Sequence, residues 1–243
     1  YKRQPSDHVI KPIERFIEYL RHANEIAREG HIVTFGIKPD RPETGYGYIK
    51  TGNRLEARGN RIECYKVERF TEKPDAETAK RYLNEGNYFW NSGMFAFGIG
   101  VMIEEFKRYA PEISGLFQLN FDDMTAQFVK MPDISIDYAI MEKSNKVVTL
   151  PMDLYWNDIG SWDSVYDVLE KDSFGNAKIG DVVTLDTHNT LLISNKRHIS
   201  TIGLEGCIVV ETDDALLIAK KGESQKVKDL VNTLKKHSRK EIC

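Results

Sequence analysis

Glu72, Lys73 and Asn91 stand in one stretch, Phe70 to Phe97 (FTEKPDAETAKRYLNEGNYFWNSGMFAF), and between them they could hold a polar, anionic ligand. Glu72 offers a carboxylate, Lys73 a compact positive charge, and Asn91 an amide that both donates and accepts hydrogen bonds. Glu72 and Lys73 fall just before a helix start, at the end of a strand, where open α/β sheets place their ligand groups. Asn91 opens a polar knot, Asn91-Ser92-Gly93, with aromatic residues on both sides. The knot also reads as a tight turn whose Asn and Gly tolerate positive φ, so both readings of Asn91 stand at this level.

A second set of residues could hold a cation or approach a ligand through backbone. Asp7, in Pro5-Ser6-Asp7-His8, precedes a β-like pair and a helix, and Asp158, in Trp156-Asn157-Asp158-Ile159-Gly160, lies between a strand region and a helix start. Two carboxylates from separate strand ends suit a hard divalent ion whose shell is completed by substrate phosphates. Asp7 reads equally as a loop acid capping a turn, and His8 as structural. Gly45-Tyr46-Gly47 lets backbone come close to a ligand with N–H groups to donate, although a hairpin or bulge explains it as well. Asp137 could serve as a ligand group or simply sit in the first turn of a helix. Asp122-Asp123 reads as an acidic surface loop rather than a metal pair.

The elements that position these residues follow from periodicity. Pro74 and Asp75 start a helix, Ala76, Ala79, Tyr82 and Leu83 recur at helical spacing, and Gly86 stops it. A buried strand with alternating Phe95 and Phe97 follows. Upstream, Lys11 to Glu29 reads as a helix with Ile13, Phe16, Ile17, Leu20 and Ala27 on the buried face, and His31 to Ile37 as a strand. Thr51 to Ile62 reads as a hairpin tip, Tyr65 to Phe70 as the strand leading to Glu72, and Val101 to Tyr109 as a packing helix. Pro111 to Met131 is irregular. Ser135 caps a short helix that turns Ile136, Ala139 and Ile140 inward, Val147 to Leu150 is a strand, and Ser161 caps a helix burying Trp162, Val165 and Leu169. From Ile179 the pattern changes to short β runs with Gly, Asn and Asp turns, then an amphipathic helix over Val227, Leu230, Val231 and Leu234 and a frayed tail.

The chain of 243 residues is long enough for a full α/β core and a smaller appendage. Its 34 basic and 37 acidic residues nearly balance, which gives no electrostatic footprint for nucleic acid or an anionic membrane. No apolar run reaches the length of a membrane span. Cys64, Cys207 and Cys243 are unpatterned, which fits a reducing compartment, with the cytoplasm as default, and neither a disulfide framework nor a zinc site.

FTEKP followed a helix later by FWNSGMF resembles the sugar-phosphate half of the sugar nucleotidyltransferases, specifically the mannose-1-phosphate guanylyltransferases (GDP-mannose pyrophosphorylases). PSDH at Pro5 to His8, RPETGYGYI at Arg41 to Ile49, and SIDYAIMEKS through WNDIGSW at Ser135 to Trp162 resemble the same family, in the family's order. The resemblance implies a Rossmann-like, GT-A-like α/β fold with a mixed sheet flanked by helices. It implies a nucleotidyltransferase catalytic domain over 1–175 and a small C-terminal β-helix-like domain with a closing helix over 176–243. No strict six-residue repeat is present, which argues against an acyltransferase solenoid. The implied reaction is transfer of GMP from GTP to mannose-1-phosphate, giving GDP-mannose and pyrophosphate. Asp7 and Asp158 would hold Mg2+, Lys73 would grip the sugar phosphate, and Glu72, Asn91 and Gly47 would read the sugar. No general base is required, because the attacking phosphate is already ionised.

The resemblance also implies a glycine-rich phosphate loop of the form GGxGTRxWP ahead of Pro5, which this sequence does not contain. Either the chain is truncated ahead of this point or intervening residues are left out; Tyr1-Lys2-Arg3-Gln4 reads as a remnant of another place, which favours the second. The choice of base is therefore inherited from the resemblance alone. Relatives that continue into a phosphomannose isomerase domain carry metal motifs not found here, and relatives are often homodimers, for which the apolar β-domain is a candidate interface. Two alternatives stay open: transfer to another sugar-1-phosphate, such as a heptose phosphate or a substrate of dTDP- or UDP-sugar synthesis, and a non-catalytic sugar-nucleotide-binding homologue.

Overall fold

A computed structural model describes residues 2–3, 8–55 and 62–236. Asp7, the outer part of the hairpin tip, the C-terminal tail and Cys243 lie outside the described residues. The chain divides into two compact units, one taking in Ile10–Trp156 and the other the chain from Asn157 onward.

The first unit runs β1 (Lys2–Arg3), β2 (Val9–Lys11), α1 (Ile13–Arg28), β3 (Ile32–Ile37), β4 (Tyr48–Leu55), β5 (Cys64–Thr71), α2 (Ala76–Glu85), β6 (Tyr88–Phe97), α3 (Ile99–Tyr109), α4 (Pro111–Ser114), α5 (Phe121–Gln127), a π-helical turn Asp137–Met141, β7 (Val147–Met152) and β8 (Tyr155–Asn157). Its six-stranded sheet has the order β1-β6-β3-β7-β5-β4, and β6 pairs with β4 as well. Only β3 and β7 run parallel, Ile32 opposite Val147 through Ile37 opposite Met152. β2 and β8 pair in a small sheet of their own.

Both faces of the sheet are covered, which is why β3 is buried at every position. On one face Val33 and Phe35 pack with Phe16, Tyr19 and Ile26 of α1, Tyr82 of α2, and Trp90 and Met94 of β6. On the other, Ile32, Phe95 and Phe97 pack with Met102 of α3 and with Ile140 and Met141 of the π turn. The buried stripe of α1 is Phe16, Tyr19, Ala23, Ile26 and Ala27. Ile13 and Ile17, expected inside, are 53% and 40% exposed. The large rings of Phe16 and Tyr19 set the helix rotation and leave the two isoleucines flanking the stripe.

α2 is built as its sequence dictates: Asp75 accepts a hydrogen bond from the Thr78 N–H at 2.7 Å, and Gly86 ends the helix in the left-handed region at φ 74°. The irregular segment after α3 is a string of short helices that leaves Phe121 and Val129 exposed.

The second unit holds α6 (Trp162–Val168), β9 (Ala177–Ile179), β10 (Val182–Leu185), β11 (Leu191–Ile193), β12 (Ile199–Ile202), β13 (Cys207–Glu211), β14 (Leu216–Lys220) and α7 (Val227–Lys236). Strands β9, β11 and β13 stack in parallel in one sheet, β10 and β12 stack in parallel in another, and antiparallel β14 closes the first. This alternation between sheets makes the unit β-helix-like. Tyr166, Ala177, Leu191, Ile208 and Val210 form its core. Asn176 ties successive turns, donating to the Thr187 carbonyl at 2.7 Å and accepting from the Thr190 N–H at 3.1 Å. β9 lies before the point where the sequence pattern predicts the β runs to begin.

Candidate functional site

In the first unit the site residues gather where β6 leaves β3 and joins β4. Gly36 pairs with Asn91 on one side and Tyr48 with Trp90 on the other. The register with β3 slips between Thr34 and Gly36, a bulge that re-aims the side chains of the Asn91-Ser92-Gly93 knot. The knot is therefore inside a continuous strand and is not a turn. The Asn91 N–H donates to the Gly47 carbonyl at 2.7 Å, which places the glycine backbone against Asn91.

Glu72 and Lys73 follow directly on β5. A Cβ added to Gly47 would lie 2.5 Å from Glu72 Oε2 and 3.4 Å from Asn91 Cβ, so the Glu72 carboxylate stands where a side chain at 47 would go and would have to shift to admit one. Lys73 takes φ 45°, unusual for a residue with a side chain. Its Nζ lies 2.9 Å from Glu72 Oε1, and this hydrogen bond and charge hold the ammonium above its ordinary pKa, with smaller help from Tyr138 and Asp137. The Glu72 N–H donates to Glu142 Oε1 at 3.3 Å.

The Asn91 amide is held on three sides. Its Oδ1 accepts from the Thr34 hydroxyl at 3.0 Å and from the Gly93 N–H at 3.2 Å, and its Nδ2 donates to Asp137 Oδ1 at 3.2 Å. Asp137 opens the π turn, a form concentrated at functional sites. Trp90, next to Asn91 in β6, packs with Val33 and Phe35 on the other face of the sheet, where its ring meets Tyr46 edge-on at 5.2 Å and carries the Arg41 guanidinium at 5.1 Å; Tyr46 also meets Trp156 edge-on at 5.4 Å.

Asp158 belongs to the second unit. Its Oδ1 accepts from the Gly160 N–H at 3.1 Å, and Asn157 Oδ1 accepts from the Ile159 N–H at 2.7 Å. Between them Ile159 adopts φ 49°, an outlier for a β-branched residue. Ser161 then caps α6 by accepting from the Ser164 N–H at 3.2 Å. Asp163, one residue into the helix, accepts from the Gly222 N–H at 2.7 Å and from the Ser224 hydroxyl, fastening the helix start to the segment before α7.

Gly47, Glu72, Lys73 and Asn91 are thus brought together within the first unit. Asp7 lies outside the described residues. Among the described residues no group of three His, Cys, Asp or Glu side chains gathers to hold a metal on its own. Magnesium is commonly held by one or two carboxylates with substrate oxygens and water completing its shell, and the half-buried Asp158 carboxylate fits that donor chemistry. Sequence reasoning overlooked Thr34 and left Asp137 undecided. The only signal for Thr34 is a hydroxyl in an otherwise apolar buried strand.

A family model described as Nucleotidyl transferase matches residues 4–173, and one described as MannoseP isomerase/GMP-like beta-helix domain matches residues 180–234. The chain is 44% identical over 247 residues to the xanthan biosynthesis protein XanB of Xanthomonas campestris pv. campestris (strain B100), covering 98% of this chain and 51% of that one. It is 39% identical to the mannose-1-phosphate guanylyltransferase of Escherichia coli (strain K12), with 97% and 51% covered. The chain spans about half the length of the curated relatives it matches. Among solved structures, one titled mannose-1-phosphate geranyltransferase, from Thermus thermophilus, superposes with a TM-score of 0.83 at 33% identity, covering 96% of this chain and 69% of that one. With a family match over most of the chain and a solved relative of the same fold, the chain belongs to the nucleotidyl transferase family.

Proposed function

We propose that the protein transfers GMP from GTP to mannose-1-phosphate, giving GDP-mannose and pyrophosphate. The observation that carries this reading is the gathering of Glu72 and Asn91 at the backbone of Gly47, with Lys73 paired to Glu72, a wall suited to a sugar bearing a phosphate. Relatives named mannose-1-phosphate guanylyltransferase, aligned along almost the whole chain, supply the substrate class.

In this reading Lys73 grips the phosphate of mannose-1-phosphate as a point charge, and Glu72, Asn91 and the Gly47 backbone orient the sugar hydroxyls. Both substrates are anionic, so charge neutralisation and alignment dominate catalysis, and the attacking phosphate oxygen needs no general base. Asp7 and Asp158 are the proposed Mg2+ holders. The ion, when bound, neutralises phosphate charge and polarises the α-phosphate of the nucleotide. Residues 1–175 are assigned to nucleotidyl transfer and 176–243 to the β-helix-like domain. The described residues contain no helix long and apolar enough to cross a membrane, and we assign the protein to the cytoplasm as a homodimer without a nucleic-acid partner.

The test is a panel of nucleoside triphosphates against sugar-1-phosphates in the full-length protein with Mg2+, read by pyrophosphate release. The highest kcat/KM is expected for GTP with mannose-1-phosphate. Preference for another pair would reassign the substrate, and silence across the panel would make the protein a binding homologue.

A further inference from the structure

The Asn91 carbonyl is fully occupied by protein donors, and one of them is a buried hydroxyl on a neighbouring strand. The Asn91 Oδ1 has room for two hydrogen bonds, and the Thr34 hydroxyl and the Gly93 N–H fill both, at 3.0 and 3.2 Å. Turning the amide over would set its NH2 against the Gly93 N–H, donor against donor, and its oxygen against the Asp137 carboxylate, acceptor against acceptor. The orientation is therefore fixed. Because the amide oxygen can only accept, the Thr34 hydroxyl is committed as the donor. Thr34 itself is fully buried in β3, on the opposite side of the strand from Val33 and Phe35, and it reaches Asn91 across the bulge.

We propose that Thr34 is a positioning residue for the acceptor substrate: with the amide orientation set by the Gly93 N–H and Asp137, the Thr34 hydroxyl fills the last lone pair of the Asn91 carbonyl and steadies the amide so that only N–H is left for the sugar phosphate. Asn91 then selects an acceptor oxygen on the ligand and rejects a group that can only donate. This deepens the sugar-1-phosphate reading and rests on it for the identity of the ligand. The geometry of the amide itself does not depend on that reading.

The test compares Thr34→Val, which keeps the shape and removes the hydroxyl, with Thr34→Ser, which keeps the hydroxyl, and uses Thr34→Ala should the valine variant not fold. Steady-state kinetics with Mg2+, GTP and mannose-1-phosphate are expected to show the sugar-phosphate KM rising about tenfold in Thr34→Val, as for loss of one buried hydrogen bond, with kcat and the GTP KM within about twofold of wild type. Thr34→Ser is expected to stay close to wild type. A merely structural role would make the valine and serine variants equally impaired, or would weaken GTP and sugar phosphate alike, and either result overturns the proposal. The second readout needs no turnover: in 15N spectra the Asn91 side-chain amide pair should keep its wild-type shifts in Thr34→Ser and move in Thr34→Val, where the amide oxygen loses a donor. If wild type turns over no sugar phosphate but the amide behaves as stated, the substrate reading fails and the positioning role stands. An amide pair unchanged in Thr34→Val sinks the positioning role whatever the substrate.

Discussion

The carboxylate of Glu72 fills the space that any side chain at Gly47 would need, with Oε2 only 2.5 Å from the position of a Cβ there. Gly47 is not required for a left-handed backbone. What it gives is room for the Glu72 carboxylate, beside a carbonyl that accepts from the Asn91 N–H at 2.7 Å. The other Glu72 oxygen is engaged by Lys73 at 2.9 Å, so a shift of the carboxylate carries the ammonium with it.

Gly47→Ala should therefore damage the acceptor wall more than the fold. The added methyl displaces Glu72 and, through it, Lys73, and an overpacking cost of about 1–3 kcal/mol concentrated there corresponds to a loss of roughly tenfold to a hundredfold in kcat/KM for the sugar phosphate. Steady-state kinetics beside a thermal melt check this. A melt lowered as in a core mutant, with activity per folded molecule unchanged, would contradict it.

Lys73→Ala removes a charge that the site holds ready. Glu72 keeps this ammonium protonated well above neutral pH, so the sugar-phosphate KM should show no titration of Lys73 across the neutral range. Losing a charge-assisted contact of about 1.5–3 kcal/mol should cost roughly tenfold to a few hundredfold in kcat/KM. An unchanged rate with mannose-1-phosphate would remove Lys73 from the site.

Local signals carried much of this architecture into the sequence. Asp75 and Gly86 bracket α2 because a cap and a left-handed stop act within a few residues, and the strand runs of the second unit after β9 follow from short β runs recurring between turn residues. What the sequence could not carry is long-range. The Asn91 knot looks like a turn because Asn and Gly favour turns, and only pairing with β3 on one side and β4 on the other makes it strand. Thr34 is 57 positions from Asn91, and its role arises from a bulge that no periodicity encodes. Asp137 looks like an ordinary first-turn acid until the π turn turns it onto the Asn91 amide.

Two carboxylates make the second unit sensitive to acid. Lys178, at 2.7 Å, and the N–H groups of Asn176 and Phe174 pull the pKa of Asp172 down to about 2. The backbone N–H groups of Lys196, Asn195 and Arg197 lower that of Glu211. Because both values are depressed on folding, their stabilisation is complete above the ordinary carboxylate range of about 4 and is lost as the pH falls through the folded values. Melting temperature should fall steeply between pH 4 and about 2. Asp172→Asn should be less stable at neutral pH and show a shallower fall, so a parallel curve would show that Asp172 does not contribute.

Asp158→Asn separates the charge of this residue from its loop. An asparagine oxygen can still accept the Gly160 N–H, as Asp158 does at 3.1 Å, so the turn that forces Ile159 to φ 49° should persist. The negative charge is lost, and a neutral amide is a far weaker partner for a hard divalent ion. The Mg2+ concentration for half-maximal activity should rise about tenfold or more while the sugar-phosphate KM stays near wild type, since no residue of the acceptor wall is changed. A magnesium titration superimposable on wild type would show that Asp158 is no ligand and would leave the strained Ile159 turn without a catalytic purpose.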